Sequence, residues 1–330
     1  MRDNSWQSGD VVAFIGDSIT AAEKYTRILI DFYVLHFPER HILFHTVATP
    51  GLSARTLIAK YPQMVASLSP SAATVMFGIN DMQPVLYADS ARVTEALLEK
   101  RERAFSSFCQ TIKELDALLS DVPHLICSPS PHDENPNLPM PLYGGYDKTL
   151  ARAAAFIKAS FSPSLDVHTS LSSANACRLT DTVIGPDRVH PGNIGHAIIA
   201  HEILKAQGFL NPRLPLWDDS ITEAEKSVLA RLGIYADTAP KNPYSDARAI
   251  ASRRFILHRY VEMNVLEAQG IQPSDFARVD AFLEKQMTMM IEPWRAKAYR
   301  DYMKNRTRGA ELKKEAEDTM QKMYDAVYKK

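Results

Sequence analysis

Five short apolar runs, at residues 11–15, 42–47, 73–77, 124–127 and 165–168, alternate with segments of helical periodicity, and this alternation narrows the possible folds more than any other feature. The helical stretches fall at about 23–36, 53–67, 91–120, 147–160 and 192–207. Nearly continuous apolar strands between amphipathic helices are strands buried on both faces of a parallel sheet. The expectation is therefore an α/β fold with five parallel strands and helices on both sides. Open sheets of this kind bind ligands at the carboxyl ends of their strands. Ser18, Gly51 and Asn80 lie just past the first three runs, so three turns are expected to meet on one rim.

The pattern changes after Gly208. Asn211-Pro212-Arg213-Leu214-Pro215 reads as a linker. It divides an α/β domain at 1–212 from a C-terminal all-α extension at 213–330. Thr222-Glu223-Ala224-Glu225 has the form of a capping box, and Gly233 is placed to end that helix. Ser245 and Ser274 are expected N-caps, and Pro293 breaks a long helical pattern. Leu312, Ala316, Met320, Met323, Tyr324 and Val327 form one apolar stripe. The stripe is expected to pack on the first domain or on a second subunit, which would make a homo-oligomer through the C-terminal helices.

Of the 330 residues, 45% are hydrophobic and 23% charged, ordinary values for a chain with a sizeable core. A formal net charge of −1 argues against nucleic acid or an anionic membrane as partner. No apolar run approaches the roughly 18 residues of a membrane span. The segment Met1-Arg2-Asp3-Asn4-Ser5-Trp6 lacks an apolar signal-peptide core. A cytoplasmic protein is the expectation, or a secreted or periplasmic one if a leader has been removed. Cys109, Cys127 and Cys177 are widely spaced and read as buried apolar residues. Neither a zinc-ligand pattern nor a glycine-rich phosphate loop occurs, so no cofactor or metal is expected.

The chemistry begins at Gly16-Asp17-Ser18-Ile19-Thr20, reached directly from the first apolar run. A serine hydroxyl needs an adjacent base that is itself oriented by a third group. His190 is the natural base, with Asp187 three residues before it to hold the imidazole tautomer. Donors for a developing oxyanion are expected from the Ser18 N–H, the Gly51 N–H, whose position excludes a side chain, and the Asn80 amide. Other roles remain open at this point. Ser18 can cap the helix that follows, Gly51 can be a turn glycine, Asn80 can form an Asx turn, and Asp187 and His190 can be surface polar residues. The Pro-rich stretch 128–146 is expected to shape a substrate pocket, with His132, Tyr143, Tyr146 and also Asp81 as contacts. Asp17 is expected to hold the nucleophile turn.

Gly16-Asp17-Ser18-Ile19-Thr20, Gly51, Gly78-Ile79-Asn80-Asp81 and Asp187-Arg188-Val189-His190 resemble, in order and approximate spacing, the sequence blocks of the SGNH (GDSL-type) hydrolases over about residues 8–208. The resemblance implies a flavodoxin-like three-layer α/β/α fold and metal-free ester hydrolysis. It implies Ser18 as nucleophile, His190 as base, Asp187 as triad carboxylate, and Ser18, Gly51 and Asn80 as oxyanion donors. Thr46 stands where the family often has an asparagine before the glycine of the second block. Residues 9–16 and 186–191 look most like the carbohydrate-esterase branch. The expected function is thus a serine esterase removing short acyl groups, acetyl foremost, from a small-molecule or oligosaccharide ester. The alternative is a lysophospholipase or thioesterase acting on longer chains.

Overall fold

The computed structural model of the chain describes residues 4–37, 40, 42–88, 93–135, 138, 142–177, 183–217 and 221–239. The caps at Ser245 and Ser274, the break at Pro293 and the stripe from Leu312 to Val327 lie outside the described residues.

Strand β1 (Val11–Gly16) runs into the one-turn helix α1 (Ser18–Ala21) and then α2 (Lys24–His36). Strand β2 (Leu43–Ala48) follows, then α3 (Ala54–Ala59), α4 (Tyr61–Met64) and β3 (Ala72–Met76). The long helix α5 (Glu95–Leu118) leads to β4 (His124–Cys127), and α6 (Tyr146–Ser160) to β5 (Ser164–Leu165). These strands form one parallel five-stranded sheet in the order β2-β1-β3-β4-β5. Val12, Ala13, Phe14 and Ile15 are wholly buried, as strands covered on both faces require.

Right-handed crossovers put α2 on one face and α3, α5 and α6 on the other. The connection from β1 steps to β2 on one side, and every later step runs the other way. The crevice between the carboxyl ends of β1 and β3 is therefore the topological switch point, where such sheets bind ligands.

The run at 165–168 is not all strand. The Asp166 carboxylate accepts the Thr169 N–H at 2.9 Å and caps helix α7 (Val167–Ala176). Val167 and His168 are helical because the cap supplies the partner that orphan helix N–H groups need. Helix α8 (Asn193–Ala206) then returns to pack on α2.

The expected all-α extension is corrected within 213–239. Strand β6 (Leu214–Trp217) pairs in parallel with β7 (Ala236–Ala239), Leu214 opposite Ala236, and α9 (Glu223–Arg231) connects them. Prolines at 212 and 215 disguised the strand as a linker. A two-stranded sheet has only edge strands, however, and there a proline's missing N–H can face away from the partner. Leu214 and Leu216, two apart and so on one face, are buried. They join the same hydrophobic core as Phe14 and Tyr33, together with Val228, Leu229 and Ile234. The Thr222 and Glu225 capping box is formed on α9, and Gly233 takes a left-handed φ of 73° just past its end.

Cys127 is buried, Cys109 half-buried and Cys177 exposed, all three unpaired, so the expectation of burial is corrected for Cys177. Among the described residues no helix is long and apolar enough to cross a membrane.

Candidate active site

Gly16 ends β1 under a steric demand. A Cβ there would lie 2.2 Å from Thr20 Oγ1 and 3.0 Å from the Met76 carbonyl oxygen. The chain turns within this space into α1. Its N-cap is Asp17, whose Oδ1 accepts the Ile19 N–H at 3.0 Å. Ser18 is consequently the first residue of the helix rather than its cap. Its N–H belongs to the first turn, which has no intrahelical acceptor. Asp17 is only 2% exposed, and burial pushes its carboxyl up to about 7, against the lowering effect of the Ile19 hydrogen bond.

Ser18 Oγ lies 2.8 Å from His190 Nε2, and His190 Nδ1 lies 2.6 Å from Asp187 Oδ2. The other Asp187 oxygen, Oδ1, accepts the Val189 N–H at 3.1 Å and the His190 N–H at 3.0 Å. Partial burial raises the Asp187 carboxyl. The hydrogen bonds from the His190 backbone, the His190 ring and Val189 outweigh it, and the group lies below its ordinary value. The carboxylate thus stays ionised beside an imidazole that must become cationic during proton transfer.

The loop carrying these residues is folded back on itself. The Gly185 N–H donates to the His190 carbonyl at 2.8 Å, the Gly192 N–H donates to the Val183 carbonyl at 3.1 Å, and Ile184 bridges Pro191. It docks on α8 through Gly195, where a Cβ would sit 2.1 Å from the Val183 oxygen. Pro191 and Gly192 then release the chain into α8 at Asn193.

In the sheet, Gly16 faces Ala48 on one side and Met76 on the other. Ser18, Gly51 and Asn80 therefore leave three adjacent strands within a few residues of one level. Asn80 Nδ2 donates to the Leu52 carbonyl at 3.0 Å, which ties the third turn to the second. A side-chain amide carries two N–H donors, so this bond orients Asn80 and leaves one for a ligand. Gly51 has a φ of 78°, and a Cβ there would meet nothing within 4 Å. Left-handed backbone, not the expected crowding, is what selects glycine at this turn.

The arrangement joins a serine, a histidine and a carboxylate in one hydrogen-bonded chain at the β1/β3 switch point, with Gly51 and Asn80 on the two neighbouring turns. Sequence comparison agrees with it: the family model described as GDSL-like Lipase/Acylhydrolase matches residues 12–203. The chain belongs to the GDSL-like lipase/acylhydrolase family. No curated protein sequence matches it significantly. Among solved structures, a gut microbial diltiazem-metabolizing enzyme, 15% identical, covers 98% of this chain and 96% of its own with a TM-score of 0.66. A catalytic mutant of Axe2, an acetylxylan esterase from Geobacillus stearothermophilus, is 19% identical over 62% of this chain and 97% of its own, with a TM-score of 0.50. A second Axe2 variant, described as an acetyl-xylooligosaccharide esterase, is 20% identical over 63% and 98%, also at 0.50. At these identities the likeness is one of fold.

Within this GDSL-family site three expected substrate contacts are corrected. Tyr146 is wholly buried, and its hydroxyl donates to the Ile79 carbonyl just before Asn80, so it braces the third turn from below. His132 is 3% exposed, with its ring against Tyr143 at 5.5 Å and Tyr146 at 5.4 Å between centroids. Burial holds its pKa below the ordinary imidazole value. Asp81 turns inward, and its Oδ1 accepts the Ala54 N–H at 3.0 Å at the start of α3. Burial raises the Asp81 carboxyl to about 6. Tyr143 is half-buried on the same aromatic cluster. The 128–146 stretch thus directs its expected binding side chains mainly into the protein.

Two features of the site escaped the sequence reading. Asp147 Oδ1 accepts the His132 N–H at 2.8 Å and lies 3.1 Å from His168 Nε2, pinning the backbone at His132 from α6 and α7. Arg188, between the two triad residues, is 1% exposed, and no periodicity or composition signals the burial of a guanidinium in a loop. Among the described residues no group of three or more His, Cys, Asp or Glu side chains is placed to hold a metal ion.

Proposed function

We propose that this GDSL-family hydrolase is a serine esterase that removes short acyl groups, acetyl foremost, from carbohydrate esters. The observation that carries the reading is the continuous Ser18, His190 and Asp187 hydrogen-bond chain at the switch point. Ser18 Oγ attacks the ester carbonyl carbon while His190 Nε2 takes its proton. The carbonyl oxygen becomes an oxyanion held by the Ser18 and Gly51 N–H groups and Asn80 Nδ2. Collapse breaks the bond to the sugar oxygen, which leaves with the proton from His190. Water, deprotonated by the same nitrogen, attacks the acyl-enzyme and releases the acid and free Ser18.

The choice of a carbohydrate acetyl ester is supported by the fold shared with an acetylxylan esterase and by the resemblance of residues 9–16 and 186–191 to carbohydrate esterases. Acetate release from a panel of acetylated oligosaccharides, alongside nitrophenyl esters of increasing chain length, tests it. Acetate release with a preference for C2 esters is the expected outcome. A preference for C8 or longer overturns the acetyl assignment in favour of a lysophospholipase or thioesterase.

Asn80→Ala is expected to lower kcat by about 10²–10³-fold, the effect of losing one oxyanion donor, with KM little changed. Steady-state kinetics on the best acetyl ester checks it. A loss confined to KM would place Asn80 in ground-state binding instead.

A further inference from the structure

We propose that Arg188 is a positioning residue, a buried guanidinium that locks the Asp187–His190 turn to the backbone of Asp133, Asn135 and Leu138 and so sets the reach of His190 to Ser18. The inference rests on the serine-esterase reading above and concerns how that site is held.

Arg188 lies one residue after Asp187 and two before His190. Its Nη1 donates to the carbonyls of Asp133 at 2.8 Å and Asn135 at 2.6 Å, and its Nη2 donates to the Leu138 carbonyl at 3.0 Å. In return the Arg188 carbonyl accepts the Asp133 N–H at 2.9 Å. Asp133, Asn135 and Leu138 lie outside any helix or strand, so no ladder satisfies their carbonyls, and backbone acceptors withdrawn from water need partners. A planar guanidinium with five N–H donors can serve three of them at once. Burying a charge is costly without such bonds, so the contact persists only when this geometry is met.

The backbone gives a second, independent sign. Arg188 holds a φ of 69°, a left-handed conformation uncommon for a long side chain. The Arg188 N–H donates to the Gly185 carbonyl at 2.9 Å, so the strained residue closes the very turn that presents Asp187 and His190. Asp187 Oδ1 binds the next two backbone N–H groups. Any shift of Arg188 must therefore carry the carboxylate and the imidazole with it. Misplacement of a reacting group by about 1 Å can cost about 10²-fold in rate.

The test is Arg188→Gly. Glycine adopts the positive φ freely, so the change removes the guanidinium without adding backbone strain. The expected result is a loss in kcat of about 10²-fold with KM little changed. Low concentrations of guanidinium chloride are expected to restore at least about tenfold of that loss, while ammonium chloride at equal ionic strength restores none. The low-field proton resonance of the His190 Nδ1–H···Asp187 hydrogen bond should vanish in the variant and return with guanidinium. That readout does not require turnover. If wild-type protein lacked esterase activity but showed the resonance, and the Arg188→Gly variant lost it and regained it with guanidinium, the function would fall and the positioning role would stand.

Two results overturn the proposal: a kcat within about threefold of wild type, or a loss that guanidinium leaves untouched while the resonance persists. Should Arg188→Gly fail to fold, Arg188→Lys replaces it. One ammonium cannot match the fork, so kcat should fall by about tenfold at unchanged KM. An unchanged kcat in that variant overturns the proposal equally.

Discussion

Ser18→Ala is expected to lower kcat on an acetyl ester by about 10⁶-fold, because nucleophile, base and carboxylate act as a unit and losing the nucleophile removes the covalent route. The oxyanion donors and substrate binding survive, so a residual rate about 10³–10⁴-fold above uncatalysed hydrolysis should remain. Ser18 is half-buried at the start of a one-turn helix whose cap is Asp17. Stability should therefore change by no more than about 0.5 kcal/mol, and the thermal midpoint should stay close to wild type. Acetate release, the pre-steady-state burst and the mass of trapped acyl-enzyme measure the loss directly. Equal turnover by wild type and Ser18→Ala across an ester panel would end the serine-esterase assignment and leave a binding role for the chain.

The second large effect belongs to Asp187→Asn, for which a fall in kcat of about 10⁴-fold is expected with little change in KM. The amide keeps the shape of the carboxylate but can present an N–H to His190 Nδ1, where 2.6 Å now separates that nitrogen from Oδ2. The ring then carries its proton on Nε2, facing Ser18, and cannot accept the hydroxyl proton. The hydrogen bonds that hold the wild-type Asp187 carboxyl below its ordinary value outweigh the raising effect of burial. Wild-type Asp187 accordingly remains ionised as pH falls through the mildly acidic range, and the acid-side decline of its rate should not come from this group. A loss of less than about tenfold in Asp187→Asn would show that another group orients His190.

Much of this site is legible in one dimension because its parts depend on local rules. An apolar run that stops at Gly16 must turn, and the crowding by Thr20 and Met76 shows why no larger residue could stand there. Asp187 and His190 are three apart, so a single loop can place the carboxylate beside the imidazole. Asn80 and Gly51 follow apolar runs whose alternation with helices marks them as parallel strands, so their turns fall at one edge of the sheet. The order β2-β1-β3 that makes them neighbours of Ser18 is seen only in the fold.

Other features depend on what packs against them. His132 and Tyr146 have the chemistry of sugar-binding residues, yet both turn inward because Ile79 offers an acceptor and the aromatic cluster offers burial. His168 extends an apolar run that looks like strand, and the Asp166 cap makes it helical. Leu214 and Leu216 stand among prolines that signal a linker, and only pairing with 236–239 shows them to be a strand.

By itself the sequence determined the layered α/β class, the strand order's raw material, and the identity of the serine, histidine and aspartate that meet at the rim. Those depend on periodicity, on short spacing and on residue chemistry, all of which are written along the chain. Tertiary structure alone decided that His132 and Tyr146 face inward and that Leu214, Leu216, Val228, Leu229 and Ile234 share the main core. It also decided that Arg188 is buried against three carbonyls. Contacts between segments some 50 residues apart leave no local trace, because the energy that favours them exists only once both segments are in place.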